Sequence, residues 1–158
     1  MSLNYAAALS KYPDKGVLGL EEVFEKDDIV TQKSKELAAL VRHASKIVFI
    51  TGAGISTASG IPDFRGPKGV WTLEEMGLKP DVNIDFETAM PTFTHFAISE
   101  ICRMRDKVCH VVSQNVDNLH MRSGTVSLIS LLAPRGRSAS VGNVLSSIVL
   151  SFICRCLF

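Results

Sequence analysis

Apolar residues return along this chain at two different periods. In residues 31–44, TQKSKELAALVRHA, positions Leu37, Leu40, Val41 and Ala44 fall at i, i+3, i+4 and i+7. That spacing predicts an amphipathic helix that buries one stripe against a sheet. Residues 46–51, KIVFIT, are almost continuously apolar and β-branched, the pattern of a parallel strand covered on both faces. Gly52-Ala53-Gly54 interrupts the run, and Ile55 to Ser59 can open a helix. From Gly60 to Gly69 the chain holds Pro62, Pro67 and three glycines, which predicts a loop. Pro91-Thr92 then reads as a helix entry, with Phe93, Ala97, Ile101 and Met104 as its apolar stripe. Residues 107–113, KVCHVVS, form a second candidate buried strand. Before all of these, residues 1–30 look irregular, with turn signals at residues 13–16 and at Gly19. The alternation of helix, strand, glycine turn, helix and strand predicts an α/β fold, a partial Rossmann-like parallel sheet with flanking helices.

Composition adds a boundary. The 158 residues suffice for one core, and 46% hydrophobic with 21% charged content argues against global disorder. A formal charge of +1 gives no electrostatic case for a nucleic-acid partner. No basic segment followed by an apolar one opens the chain, so an intracellular protein is expected, with Cys102, Cys109, Cys154 and Cys156 as reduced thiols. All 16 acidic residues fall within residues 1–124, whereas residues 125–158 hold no acid and no lysine, only Arg135, Arg137 and Arg155. The expected organisation is therefore an irregular segment 1–30, an α/β part 31–124 and a divergent apolar, serine-rich tail 125–158. The tail has three readings: a membrane anchor, an element replacing lost core, or sequence with no evolved role. Val141–Phe158 offers only 18 residues and contains Arg155, which argues against a spanning helix.

The glycine turn is the first feature with chemistry in it. A strand that ends in Gly52-Ala53-Gly54 and leads into a helix lets backbone N–H groups approach a phosphate without Cβ interference. The usual dinucleotide fingerprint places a third glycine where Thr57 stands, and an acid some twenty residues on that is not seen after a clear strand. A tight strand-to-helix corner explains the turn equally well by itself.

Two further segments narrow the choice. Gly60-Ile61-Pro62-Asp63-Phe64-Arg65 follows the turn, and Ser113-Gln114-Asn115-Val116-Asp117 ends the second strand. GAGIS, GIPDFR and QNVD in this order resemble the sirtuins, NAD-dependent protein-lysine deacylases, over about residues 1–124. The opening residues 1–7 and the run Gly66-Pro67-Lys68-Gly69-Val70-Trp71 look most like the class IV nuclear sirtuins. The resemblance implies a role for each motif residue. Gly52, Ala53, Gly54, Ser56 and Thr57 would cradle the NAD pyrophosphate. Asp63 would belong to the cofactor-binding set, Phe64 would screen the reacting ribose carbon from water, and Arg65 would pair with phosphate or organise its loop. Gln114 and Trp71 would line the ribose side, while Asn115 and Asp117 would face the nicotinamide carboxamide. Each residue also has a structural alternative: Phe64 and Trp71 as core aromatics, Asp63 as a turn cap, Asp117 paired with Arg122, and Asn115 as a strand end.

Other family features have no counterpart. The histidine general base that the resemblance calls for sits in a His-Gly pair, but none of His43, His95, His110 or His120 precedes a glycine. His120 is the one histidine near the motifs, and it matches a different family position. The structural zinc of the family requires two Cys-x₂₋₄-Cys pairs, a spacing that these four cysteines do not supply. No catalytic residue and no metal ligand is therefore assigned. The expectation is a truncated, catalytically incomplete deacetylase-like chain with NAD as cofactor. Its implied partner is an acylated, histone-like protein lysine, and its implied setting is the nucleus. The alternative is a non-catalytic fragment that binds NAD or ADP-ribose or competes for partners; a dehydrogenase is opposed by the missing third glycine and by GIPDFR.

Overall fold

The computed structural model describes residues 14–80 and 87–130. The opening residues 1–7, the candidate anchor segment and the Cys154/Cys156 pair lie outside the described residues. Helix α1 (Asp27–His43) starts within the stretch expected to be irregular. Asp27 and Asp28 lie in its first turn, where negative charge meets the positive end of the helix dipole, and Arg42 and His43 lie in its last. Strand β1 (Lys46–Thr51) follows, then a 3-10 helix (Ala53–Ser59), α2 (Val70–Glu75), α3 (Phe93–Cys102), β2 (Val108–Ser113), α4 (Leu119–Arg122) and β3 (Leu128–Ser130).

The three strands form one parallel sheet in the order β1-β2-β3. Register sets Lys46 opposite Val108 and Thr51 opposite Ser113, so the first two strands end side by side. The α/β reading is thereby met, since adjacent parallel strands need a long crossover, here carried by the 3-10 helix, α2 and α3. β3 had no counterpart in the apolar pattern; it pairs Val111 with Leu128 and Ser113 with Ser130. β2 is the central strand, with Cys109, Val111, Val112 and Ser113 buried.

Burial corrects two expectations from periodicity. The α1 stripe is not covered: α1 has no buried residue, and Leu37 and Leu40 are 62% and 69% exposed. β1 is not covered on both faces either, because Val48 and Ile50 are 55% and 58% exposed while Ile47 and Phe49 are half-buried. The cause is position: β1 is an edge strand among the described residues, and none of them covers that face. What ties α1 to the sheet is polar. The Lys107 ammonium, its side chain 4% exposed, donates to the carbonyls of Arg42 at 3.0 Å and Ala44 at 2.9 Å and lies 3.3 Å from Asp106. A cation on the last carbonyls of a helix is favourable.

A third correction concerns α3. The stripe read from Phe93, Ala97, Ile101 and Met104 is not its inner face: Phe93 is 88% exposed, whereas His95, Ile98 and Ser99 are buried. Two of these three inward residues are polar, which apolar periodicity does not register. Beneath it, Ile61, Ala89 and Leu119 form a small apolar cluster.

Leu119→Ala should lower unfolding free energy by about 2–5 kcal/mol, as expected for a fully buried leucine. Leu40→Ala should change it by less than about 0.5 kcal/mol, the usual range for exposed positions. Urea unfolding followed by circular dichroism measures both. Equal losses would mean that the α1 stripe is packed after all.

Candidate functional site

Because β1 and β2 end in register, the segments following Thr51 and Ser113 share one edge of the sheet, and in parallel α/β sheets ligands bind outside this carboxyl edge. The Gln114 N–H donates to the Thr51 carbonyl at 3.2 Å, carrying the pairing one residue past the strands. The glycine turn then coils into the 3-10 helix and ends at Gly60 with φ +84°, a left-handed cap that glycine adopts without strain.

Side chains fasten the turn to the second segment. Asn115 Nδ2 donates to the Gly52 carbonyl at 2.9 Å and to Ser56 Oγ at 3.3 Å. Ser56 Oγ donates to Asp117 Oδ2 at 2.6 Å, and the Leu119 N–H donates to Asp117 Oδ1 at 3.0 Å. Ser56 and Asp117 are both buried, so their bond forms away from competing water. Gly52 has the Gln114 amide against it: a Cβ there would sit 2.5 Å from Gln114 Nε2. At Gly54 a Cβ would meet nothing within 4 Å, so space stands open above that residue. Thr57 is turned inward on its own loop, Oγ1 donating to the Gly54 carbonyl at 3.0 Å. Gly52, Ser56, Gln114, Asn115 and Asp117 are thus brought into one constellation.

Asp63, Phe64, Arg65 and Trp71 form a second group. Asp63 Oδ2 accepts the Gly66 N–H at 3.0 Å, which makes Asp63 a turn cap. The Phe64 and Trp71 rings lie 4.9 Å apart with 44° between their planes. The Arg65 guanidinium sits 4.8 Å over the Trp71 ring, and its Nε donates to the Lys15 carbonyl at 2.7 Å. Arg65 thereby ties this loop to the Lys15 segment and to Trp71. Gly69 is obligatory, since a Cβ would come within 2.5 Å of the Phe64 backbone. An open concavity of about 520 Å³ is lined by Ala58, Ser59 and residues 88–93, none of them a predicted cofactor residue.

A polar pair under the site was not foreseen. His95 and His120 are 0% and 2% exposed, with ring centroids 4.8 Å apart in an edge-on arrangement. The Thr92 N–H points at His95 Nδ1 across 3.2 Å. Thr92 Oγ1 lies 2.8 Å from the same nitrogen and donates to the Ile55 carbonyl at 3.0 Å. His120 Nε2 meets Thr51 Oγ1 at 2.8 Å. The pair therefore reaches the turn from both sides, through Thr51 and through Ile55. His95 Nε2, Ser99 Oγ and His120 Nδ1 find no partner among the described residues. The one signal in the sequence was Thr92-x-x-His95, a capping-box spacing with histidine in the acidic position. Burial pushes the His120 imidazole down to about 4; His95 beside it lowers it further, against an opposing pull from Asp117. Burial also lowers His95, again opposed by Asp117. Among the described residues, no cluster of three or more histidine, cysteine or acidic side chains could hold a metal ion.

No family model matches the chain. It is 55% identical over 124 residues to the NAD-dependent protein deacetylase Sirt6 of Drosophila melanogaster, covering 78% of this chain and 39% of that protein. With the NAD-dependent protein deacetylase sirtuin-7 of Homo sapiens it shares 49% over 104 residues, covering 66% of this chain and 26% of the relative. Rice SRT1 (Oryza sativa subsp. indica), another NAD-dependent protein deacetylase, is 50% identical over 125 residues, covering 78% of this chain and 26% of that protein. The chain thus spans between about a quarter and two fifths of the length of these relatives. Among solved structures, a Sir2 enzyme aligns with TM-score 0.52 and 32% identity, over 63% of this chain and 46% of that one. A Sir2 variant with a deacetylated p53 peptide and 3'-O-acetyl ADP ribose aligns with TM-score 0.51 and 30% identity, over 61% and 46%.

Two buried neutral imidazoles fix the sign of a pH effect. His120 binds a proton at its ordinary 6.5 when unfolded but only near 4 when folded, so the unfolded chain takes up more protons between those values. Stability should be complete above pH 6.5 and should fall by about 3 kcal/mol as pH drops toward 4. Urea midpoints across that range measure it. His120→Gln, which keeps a donor toward Thr51, should flatten the dependence; an unchanged slope would contradict the assignment.

Proposed function

Taking the matched stretch as sirtuin-like sequence, we propose that this chain carries an NAD site of the sirtuin protein-deacetylase type at the carboxyl edge of β1 and β2. The observation that carries the reading is Gly54. It sits in a turn fastened on both sides, yet a side chain there would touch no protein atom. A cradle left open in this way fits a diphosphate that must approach backbone N–H groups closely.

The remaining residues take the roles that the resemblance implies. Gly52, Ala53, Gly54, Ser56 and Thr57 bind the pyrophosphate. Asn115 and Asp117 hold the nicotinamide carboxamide; two hydrogen bonds to Asp117 leave its carboxylate with further acceptor capacity. Gln114 and Trp71 line the ribose side, Phe64 excludes water from the reacting carbon, and Arg65 and Asp63 shape the loop that presents Phe64. When bound, NAD supplies a nicotinamide–ribose bond primed for cleavage. These 158 residues hold no His-Gly pair to act on the ribose hydroxyl, and His120 is buried against Thr51 rather than open to a ligand. The reading is therefore binding of NAD or ADP-ribose without turnover by these residues. An acylated, histone-like protein lysine as partner and a nuclear setting belong to the same proposal by resemblance; no helix of the described residues is long and apolar enough to cross a membrane.

Isothermal titration of NAD into the full chain should give saturable binding. Gly54→Val should leave the thermal midpoint within a few degrees while weakening NAD at least about tenfold, a loss of roughly 1.4 kcal/mol. No nicotinamide should be released on adding an acetyl-lysine peptide. Absence of saturable binding to the folded chain would overturn the site, and steady nicotinamide release would overturn the claim that turnover is lacking.

A further inference from the structure

A second chemically competent pair lies at the far end of β2 from the cradle. Cys102 is the last residue of α3 and Cys109 the second of β2. Both are free thiols, the Cys102 S–H donating to the Cys109 sulfur across 2.8 Å. The intervening turn holds them there. The Arg103 N–H bonds the Ser99 and Glu100 carbonyls, the Met104 N–H bonds Ile101 and the Lys107 N–H bonds Met104. The Lys107 ammonium is seated on the α1 carbonyls. With both flanks anchored, the backbone path keeps the two cysteines close together.

We propose that Cys102 and Cys109 form a redox-responsive dithiol, a modification site at which a peroxide closes an intramolecular disulfide. The chemistry balances without another reactant. The Cys109 sulfur, which accepts the Cys102 S–H, attacks one peroxide oxygen, and the Cys109 proton passes to the oxygen that departs. The O–O bond breaks, the departing oxygen leaves as water once protonated, and Cys109 becomes a sulfenic acid. The Cys102 sulfur then attacks the Cys109 sulfur, the S–O bond breaks, and the Cys102 proton goes to the departing hydroxide as a second water. Two electrons pass from the thiols to the peroxide. A small-molecule thiol restores the dithiol by exchange. Closing the sulfurs from 2.8 Å to a bond of about 2.05 Å needs a shift of less than about 1 Å. The order of attack follows from the hydrogen bond, in which Cys102 keeps its proton and directs it at the Cys109 sulfur; burial, reinforced by the neighbouring Cys109 thiol, also pushes the Cys102 thiol up to about 12. Cys102 is half-buried and Cys109 is buried.

The test is oxidation of the folded full chain with hydrogen peroxide, followed by alkylation of remaining thiols and tryptic mapping without reductant. Trypsin cuts at Arg103, Arg105 and Lys107, so the closed form yields two cross-linked peptides, lighter by about 2 Da than the reduced pair. That product, reversed by dithiothreitol, supports the proposal. So does trapping of a sulfenic acid at Cys109 in Cys102→Ser together with an unreactive Cys102 in Cys109→Ser. Alkylation of both residues after peroxide in a chain still folded by circular dichroism would overturn it. A bridge found only at Cys154 and Cys156, or the reverse order of sulfenic acids in the two variants, would overturn it as well. None of these readouts depends on NAD.

Discussion

The arrangement rests on one register. Parallel pairing of β1 with β2 sets Thr51 beside Ser113, and two segments about sixty residues apart in sequence therefore emerge from the sheet together. A slip by one residue would turn every inward side chain outward and separate Gly52 from Asn115. The hydrogen bonds from Asn115 to Gly52 and from Ser56 to Asp117 follow from that register and close the two segments into one cradle. Glycine serves two separate purposes here. Gly69 is small because protein backbone lies against it, and Gly54 is small where no protein atom does.

Much of this was legible in the sequence. β1, β2 and the entry to α3 follow from short apolar runs and from Pro91-Thr92, and the α/β alternation gives the parallel sheet. Asp63 accepts the Gly66 N–H as a turn cap, the structural alternative to its expected place among the cofactor residues. What periodicity could not supply is the partner of an apolar stripe. Leu37 and Leu40 are correctly spaced yet exposed, because amphipathicity states that a face is apolar and not that another element covers it. On α3 the error ran the other way, since His95 and Ser99 occupy the buried face where polar residues are not sought. β3 is three residues long and serine-flanked, too short for any period to emerge.

The histidine pair and the cysteine pair use α3 in different ways. At its start, His95 reaches His120 and, through Thr92, the Ile55 carbonyl, so the first turn of α3 bears on the cradle. At its end, Cys102 meets the second residue of β2, with Lys107 nearby joining α1 to the same region. α3 and β2 thus connect the glycine turn to a redox-capable corner at the opposite edge of the sheet. Few large apolar side chains are buried among the described residues, so specific polar contacts fix the relative placement of these elements.

Hydrogen–deuterium exchange of the full chain with and without saturating NAD tests the central claim most directly. Slower exchange should appear together in residues 52–57 and 113–117, with little change in α1. Protection confined to one of the two segments, or centred elsewhere in the chain, would contradict a single cradle built on the β1–β2 register.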